Sequence, residues 1–133
     1  MLDRPNDPFS DAPISRLVGF DVLPGPPGEA TVVIDCDTRH HNPMGRVHGG
    51  LISALTDAAM GIAFARTLTD DQDFSTIELK INFIRPIIKG RLEARARVLE
   101  RGLRIGFVDC EVLNQRGKRI ATATSTCTVL SAT

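Results

Sequence analysis

The chain has 133 residues, 42% of them hydrophobic and 24% charged, which suits a single domain with its own core. Sixteen basic and sixteen acidic side chains balance, so no overall field draws nucleic acid or an anionic membrane, and the lack of Trp and Tyr removes most platforms for stacking bases. No apolar run approaches the roughly 18 residues of a membrane span, and the first residues are too polar for a secretory signal, so a cytoplasmic protein is expected.

Residues 1–12, rich in Asp, Asn and Pro, are expected to form a mobile or loosely docked arm of the single domain 1–133. A short helix is predicted over 13–18, with Pro13 at an early position and Gly19 near its end. Residues 20–23 read as a short strand, and Pro24-Gly25-Pro26-Pro27-Gly28 reads as a turn. Over 29–37, Ala30, Val32, Ile34 and Cys36 alternate with the mostly polar set Glu29, Thr31, Val33, Asp35 and Asp37, the pattern of a strand with one buried face.

The polar loop His41-Asn42-Pro43-Met44-Gly45-Arg46-Val47-His48-Gly49-Gly50 then runs into a long helical pattern, from 48 or 49 to 67. Leu51, Leu55, Ala58 and Ile62 recur at helical spacing, and Ile52, Ala59 and Ala63 widen the stripe until little of the circumference is polar. Such a helix should be surrounded by other elements. Residues 70–73 form a solvated loop, and four strands are predicted after it. In the first, Ile77, Leu79, Ile81 and Phe83 alternate with Thr76, Glu78, Lys80 and Asn82, up to Arg85-Pro86, because proline cannot donate to a ladder. In the second, Leu92, Ala94, Ala96 and Val98 alternate with Arg91, Glu93, Arg95 and Arg97. The third covers 105–113 and ends at a turn over 114–117; the fourth covers 119–130, with Thr122, Thr124, Thr126 and Thr128 on one face. Short turns between runs of similar length imply an antiparallel sheet. One long helix with five or six strands makes an α+β fold in which the sheet wraps the helix.

The chemistry concentrates where that helix begins. A helix N-terminus presents unpaired N–H groups at the positive end of a dipole, and glycine lets a ligand approach them closely. An acid inside an apolar helix is costly unless it is paired or used, and Asp57 stands two turns beyond Gly49-Gly50. These features suggest a site that stabilises an oxyanion and employs an acid. Cys36, Cys110 and Cys127 show no CxxC or Cys/His spacing and read as buried free thiols; His40, His41 and His48 match no metal spacing, so no metal or cofactor is expected. The chain has no G-x-S-x-G elbow of a serine hydrolase.

His41-Asn42-Pro43, then Gly45 to Gly50, then Leu55, Asp57 and Gly61, resemble the hotdog-fold acyl-CoA thioesterases of the phenylacetic-acid-degradation (PaaI) type, and so does the strand ending Asn82-Phe83-Ile84-Arg85-Pro86. The resemblance covers about residues 17–130 and implies hydrolysis of a CoA thioester. It implies that Gly49, with Gly50 beside it, polarises the carbonyl through backbone N–H, and that Asp57 attacks or activates water. It further implies that Asn42 helps hold the reacting groups, that His48 lines the helix entry, and that Thr76, or Ser75 as the fallback, orients the water. Members of the family share sites across a homodimer and often pair dimers into tetramers, so a homo-oligomer is implied. The same residues have plainer readings. Asp57 suits a structural acid satisfied by backbone or Arg66, the glycines suit close packing, Asn42 a turn, His48 a structural histidine and Thr76 an ordinary strand residue. Arg85, Lys89, Arg91, Arg101 and Arg104 gather around the strand ends, and one or two of them, above all Arg85, Lys89 and Arg104, are candidates for the phosphates of CoA. Two other functions fit the pattern: a hotdog hydratase or dehydratase on acyl thioesters, which needs a catalytic histidine paired with an acid, and a non-catalytic acyl-CoA-binding protein.

Overall fold

The computed structural model describes Phe9 and residues 11–131, so the arm expected over 1–12 lies almost wholly outside the described residues. Helix α1 spans Pro13–Val18, with proline in its first turn and Gly19 at its C-cap. Strands β1 (Phe20–Val22) and β2 (Glu29–Cys36) follow. A 3-10 turn over Thr38–His40, which no periodicity announces, leads into the loop before helix α2, Gly49–Ala65. The chain closes with β3 (Gln72–Phe83), β4 (Gly90–Arg101), β5 (Ile105–Asn114) and β6 (Arg119–Ser131).

All six strands belong to one antiparallel sheet, in the order β1-β2-β4-β5-β6-β3, curved as a half-barrel around α2. Its inner face carries Ala30, Val32, Ile34 and Cys36 from β2, Leu92, Ala94 and Ala96 from β4, Val108, Cys110 and Val112 from β5, and Ala121, Ala123 and Cys127 from β6, all buried. Helix α2 sets Leu55, Ala59, Met60, Ala63 and Phe64 against them, mainly on β2, β4 and β5. Burial of a side chain the size of Leu55 or Phe64 stabilises the fold by about 1.5–3 kcal/mol. The three cysteines are free and buried as expected. Burial pushes the Cys36 thiol up to about 11 and the Cys110 thiol up to about 12, so neither supplies a thiolate near neutral pH.

Two sequence expectations need correction. One concerns the helix, which the sheet covers on one side only. Ser53, Ala54, Ala58 and Gly61 are half-buried, and Gly50 and Asp57 are exposed. A run of Ala, Gly and Ser blurs the contrast between a helix's covered and open faces, so the periodicity overstated the burial.

The other concerns β3, whose pairing with β6 shifts register between Thr76 and Glu78. The bulge leaves Ile77 57% exposed, outside the inner set. On either side of it Phe74, Thr76, Leu79 and Ile81 pair with inner-face residues Val129, Cys127, Ser125 and Ala123. A bulge-free alternation would have turned Thr76 away from the helix. Here it faces inward.

Among the described residues, no helix is long and apolar enough to cross a membrane.

Candidate active site at the start of the central helix

The loop before α2 is built by its own polar side chains. Asn42 Oδ1 accepts the N–H of Met44 at 2.9 Å and of Arg46 at 3.1 Å, while its backbone N–H donates to the Arg46 carbonyl at 2.7 Å. This is the self-bonded turn that asparagine favours. The loop is fastened to the segment after β3, because Val47 N–H donates to the Ile87 carbonyl at 2.8 Å and His41 Nε2 donates to the Ile88 carbonyl at 2.7 Å. His40 is a structural histidine. Its Nδ1 accepts the Asp37 N–H at 3.1 Å and its Nε2 donates to the Val18 carbonyl at 2.9 Å, which assigns the neutral Nε2–H tautomer.

The first turn of α2 separates the two glycines. His48 is the N-cap, and its Nδ1 accepts the Gly50 N–H at 2.7 Å. The His48 carbonyl accepts from Leu51 at 3.0 Å and Ile52 at 3.3 Å. Gly49 N–H is left with no acceptor among the described residues. A side chain would be crowded at both positions, for different reasons. A Cβ on Gly49 would stand 3.0 Å from the Phe83 ring, and one on Gly50 would stand 2.8 Å from Nδ1 of His48.

Asp57 is exposed on the open side of α2, with no hydrogen bond or ion pair among the described residues. Its surroundings desolvate the carboxyl and raise its pKa above the ordinary value. Arg66, the basic residue named with it above, caps the far end of the helix nine residues on, about 13 Å of rise. There it donates to the Leu23 and Glu29 carbonyls, both at 2.9 Å. Thr76 Oγ1 lies 3.9 Å from Cys127 Sγ, and Thr76 follows Phe74 by two residues on β3, where the Phe74 ring packs at Gly61, one turn beyond Asp57 on α2. Ser75 is exposed.

The basic candidates divide. Arg85 and Lys89 are exposed on the segment that docks against the loop before α2, and Arg85 Nη1 donates to the Arg119 carbonyl at 2.6 Å. Arg104 stands at the opposite end of the helix, in the β4–β5 turn, where its carbonyl accepts the Val129 N–H at 2.6 Å. Arg101 is structural, its guanidinium 5.4 Å over the Phe64 ring and bonded to Thr67 Oγ1 at 3.0 Å and Gln72 Oε1 at 3.1 Å. Arg91 pairs with Glu93 at 3.5 Å.

One chain therefore brings Asn42, His48, Gly49, Gly50, Arg85 and Lys89 to one end of α2, and Asp57 with Thr76 to its middle. Sequence reasoning missed Phe83, whose ring covers Gly49, and Cys127 beside Thr76. It also missed a cavity of about 400 Å³ beside the helix start, where Leu17, Val18 and Leu51 meet Arg39, His41 and His48. The alternation of β3 hinted at Phe83 only as core. A groove of about 710 Å³ on the other face of the sheet holds ion pairs, Arg97 with Asp109 at 3.3 Å and Arg119 with Glu111 at 3.1 Å, but none of the candidate residues. Among the described residues no three His, Cys, Asp or Glu side chains gather as a metal-binding set.

Comparison with known proteins places this arrangement in context. A family model described as the thioesterase superfamily matches residues 44–121, a span that holds Gly49, Asp57 and Thr76. A candidate esterase of Saccharolobus solfataricus is 35% identical over 79% of this chain and 74% of its own length. The acyl-coenzyme A thioesterase PaaI of Escherichia coli is 28% identical over 80% of this chain and 75% of its own. The structure of a mutant phenylacetic acid degradation protein PaaI from Thermus thermophilus superposes with a TM-score of 0.82 at 30% identity, covering 88% of this chain and 98% of that one.

Proposed function

The chain belongs to the thioesterase superfamily, as a hotdog-fold hydrolase related to the PaaI-type acyl-CoA thioesterases, and on that premise we propose that it cleaves an acyl-CoA thioester with Gly49 and Asp57. Attack on a thioester carbonyl builds negative charge on its oxygen, and a preorganised N–H donor lowers that barrier. Gly49 supplies the donor, because Gly50 is already capped by His48. Asp57 takes a proton from water, or attacks the carbonyl itself to form a mixed anhydride. Its raised proton affinity suits the first of these roles. Thr76 holds the water, and Asn42 keeps the loop in the shape that exposes Gly49. His48, as a cap, has one ring nitrogen occupied, which favours hydrolysis over the histidine-driven hydration.

The observation that carries this reading is a pair of unpartnered groups on one helix, the Gly49 N–H and the Asp57 carboxyl. They also require a second copy of the chain. Eight residues separate them, about 12 Å along the axis at about 1.5 Å per residue. One carbonyl must meet the donor at its oxygen and the attacker within about 3–3.5 Å of its carbon. A two-fold homodimer with antiparallel helices solves this, setting the Asp57 and Thr76 of one protomer beside the Gly49 and Asn42 of its partner, twice over. The same symmetry carries Arg104 of the partner subunit toward Arg85 and Lys89, where the CoA phosphates would lie, and leaves room for dimers to pair as tetramers. Free-thiol release from a panel of aryl- and alkyl-CoA thioesters tests the reading. Turnover lost in Asp57→Asn is expected. An enoyl product would point to a hydratase, and binding without thiol release to a non-catalytic acyl-CoA-binding protein.

A further inference from the structure

The cavity of about 400 Å³ beside the first turn of α2 has apolar walls from two elements, Leu17 and Val18 at the end of α1 and Leu51 on α2. A lone exposed leucine is ordinary on a protein surface, but Leu17, 79% exposed, borders a concave space. Its wall is fixed in place. His40 Nε2 donates to the Val18 carbonyl at 2.9 Å, and Gly19, with φ 95°, turns the chain into β1.

The polar groups of the lining are mostly engaged. Both ring nitrogens of His40 are bonded, and the Arg39 guanidinium meets both Asp37 carboxylate oxygens, at 2.9 and 3.0 Å. His41 Nε2 donates to the Ile88 carbonyl, and His48 Nδ1 accepts the Gly50 N–H. The His48 Nε2–H is the donor left over. His48 and Leu51 flank Gly49-Gly50, so the cavity borders the turn that carries the Gly49 donor. Arg85 and Lys89, the candidates for the CoA phosphates, do not line it.

These features select among the parts of an acyl-CoA. Pantetheine carries two amides, whose donors and acceptors would find few partners here, whereas an alkyl chain has none to satisfy. A terminal carboxylate would lose hydration, face the charge of Asp37 and find Arg39 already balanced. At about 30 Å³ for each water-sized group, the cavity holds about a dozen non-hydrogen atoms. We propose that this cavity is the acyl subsite, that it takes a short to medium uncharged acyl group, and that Leu17 and Leu51 determine that choice. The inference rests on the thioesterase reading and adds its substrate class.

The experiment measures kcat/KM for thiol release from acetyl-, hexanoyl-, palmitoyl- and glutaryl-CoA in the wild type, Leu17→Arg and Leu51→Phe, with the oligomeric state followed by size exclusion. Each methylene buried in the cavity should raise kcat/KM by about fourfold, so hexanoyl-CoA should exceed acetyl-CoA by on the order of 10²-fold. Palmitoyl-CoA should fall below hexanoyl-CoA because its chain outgrows the space, and glutaryl-CoA should fall below it because of its charge. Leu51→Phe fills the cavity and should lower the hexanoyl-to-acetyl ratio by about tenfold. Leu17→Arg should lower turnover of hexanoyl-CoA and raise that of glutaryl-CoA, a gain that no folding defect produces. A profile flat in chain length, or ratios unchanged in both variants beside an active wild type, would overturn this inference alone. So would loss of the oligomer in Leu17→Arg, because a partner chain would then cover the wall. No thiol release from any thioester would overturn the thioesterase reading and the subsite with it. Should Leu51→Phe not fold, Leu17→Arg carries the test, since it replaces an exposed side chain.

Discussion

The two ends of α2 treat polar groups in opposite ways. At the C-terminal end, Arg66 donates to two backbone carbonyls and Arg101 lies over Phe64, bonded to Thr67, Gln72 and the Gly102 carbonyl. At the N-terminal end and in the middle, Gly49 N–H and the Asp57 carboxyl have no partner among the described residues. One end anchors the helix in the half-barrel. The N-terminal end and the middle leave a donor and an acid without partners, the two groups that the proposed reaction would use. In the proposed reaction the same helix is both scaffold and reactive surface, and the two uses can be taken apart by substitution.

The contrast breaks if Asp57 behaves as an anchor. Asp57→Asn should lower turnover by about 10²–10⁴-fold, the contribution of a general base, and leave the melting temperature unchanged or higher, since a desolvated carboxylate is replaced by a neutral amide. A large loss of stability with normal turnover would make Asp57 structural. Arg66→Met is the mirror experiment. It removes charged hydrogen bonds worth about 1.5–3 kcal/mol, so unfolding should shift by that amount while kcat of the folded enzyme stays close to wild type. Asn42→Ala falls between the two. Its Oδ1 holds two N–H groups of the loop, so about 1 kcal/mol of stability should go together with a moderate loss of turnover, read by denaturant melts and by thiol release.

The smallest effect is in pH, and its sign distinguishes two aspartates. Asp57 binds its proton more readily in the folded chain than in the unfolded one, so its stabilising contribution is present at low pH and is lost as pH rises past the ordinary aspartate value of about 3.9. Asp37 is the reverse. Hydrogen bonds from Arg39 hold its carboxyl down to about 2, so its contribution is present above the ordinary value and is lost as pH falls toward about 2. The acid limb of kcat/KM should therefore lie above about 3.9. A limb at or below that value would contradict the assignment of Asp57 as the base.

Much of this was legible in the sequence because it depends on local pattern. Pro13 and Gly19 bracket α1, the alternations of β2, β4 and β6 mark the inner face, and the turn at 114–117 closes where Asn114 Oδ1 takes the N–H of Arg116 and Lys118. The site was legible as a cluster of residues but not as an arrangement. Nothing in a period of two announces the bulge at Ile77, so the inward turn of Thr76 and its contact with Cys127 had to be seen in the ladder. Nothing local tells Gly49 from Gly50; they differ because the His48 ring folds back on one N–H and the Phe83 ring, 34 residues on, covers the other glycine. Arg66 looked like a partner for Asp57 by proximity in sequence, yet helix rise carries it to the far end.

The central claim is that one reaction uses Gly49 of one protomer and Asp57 of its partner, and subunit mixing tests it most directly. Two variants are prepared, Asp57→Asn and Gly49→Val, each inactive alone. Mixed in equal amounts under conditions of demonstrated exchange, half of the dimers are mixed, and each of these carries one site with both groups intact. Activity should rise to about a quarter of the wild-type level, as two-fold symmetry requires. No recovery despite exchange, or full activity in a monomer, would contradict the account.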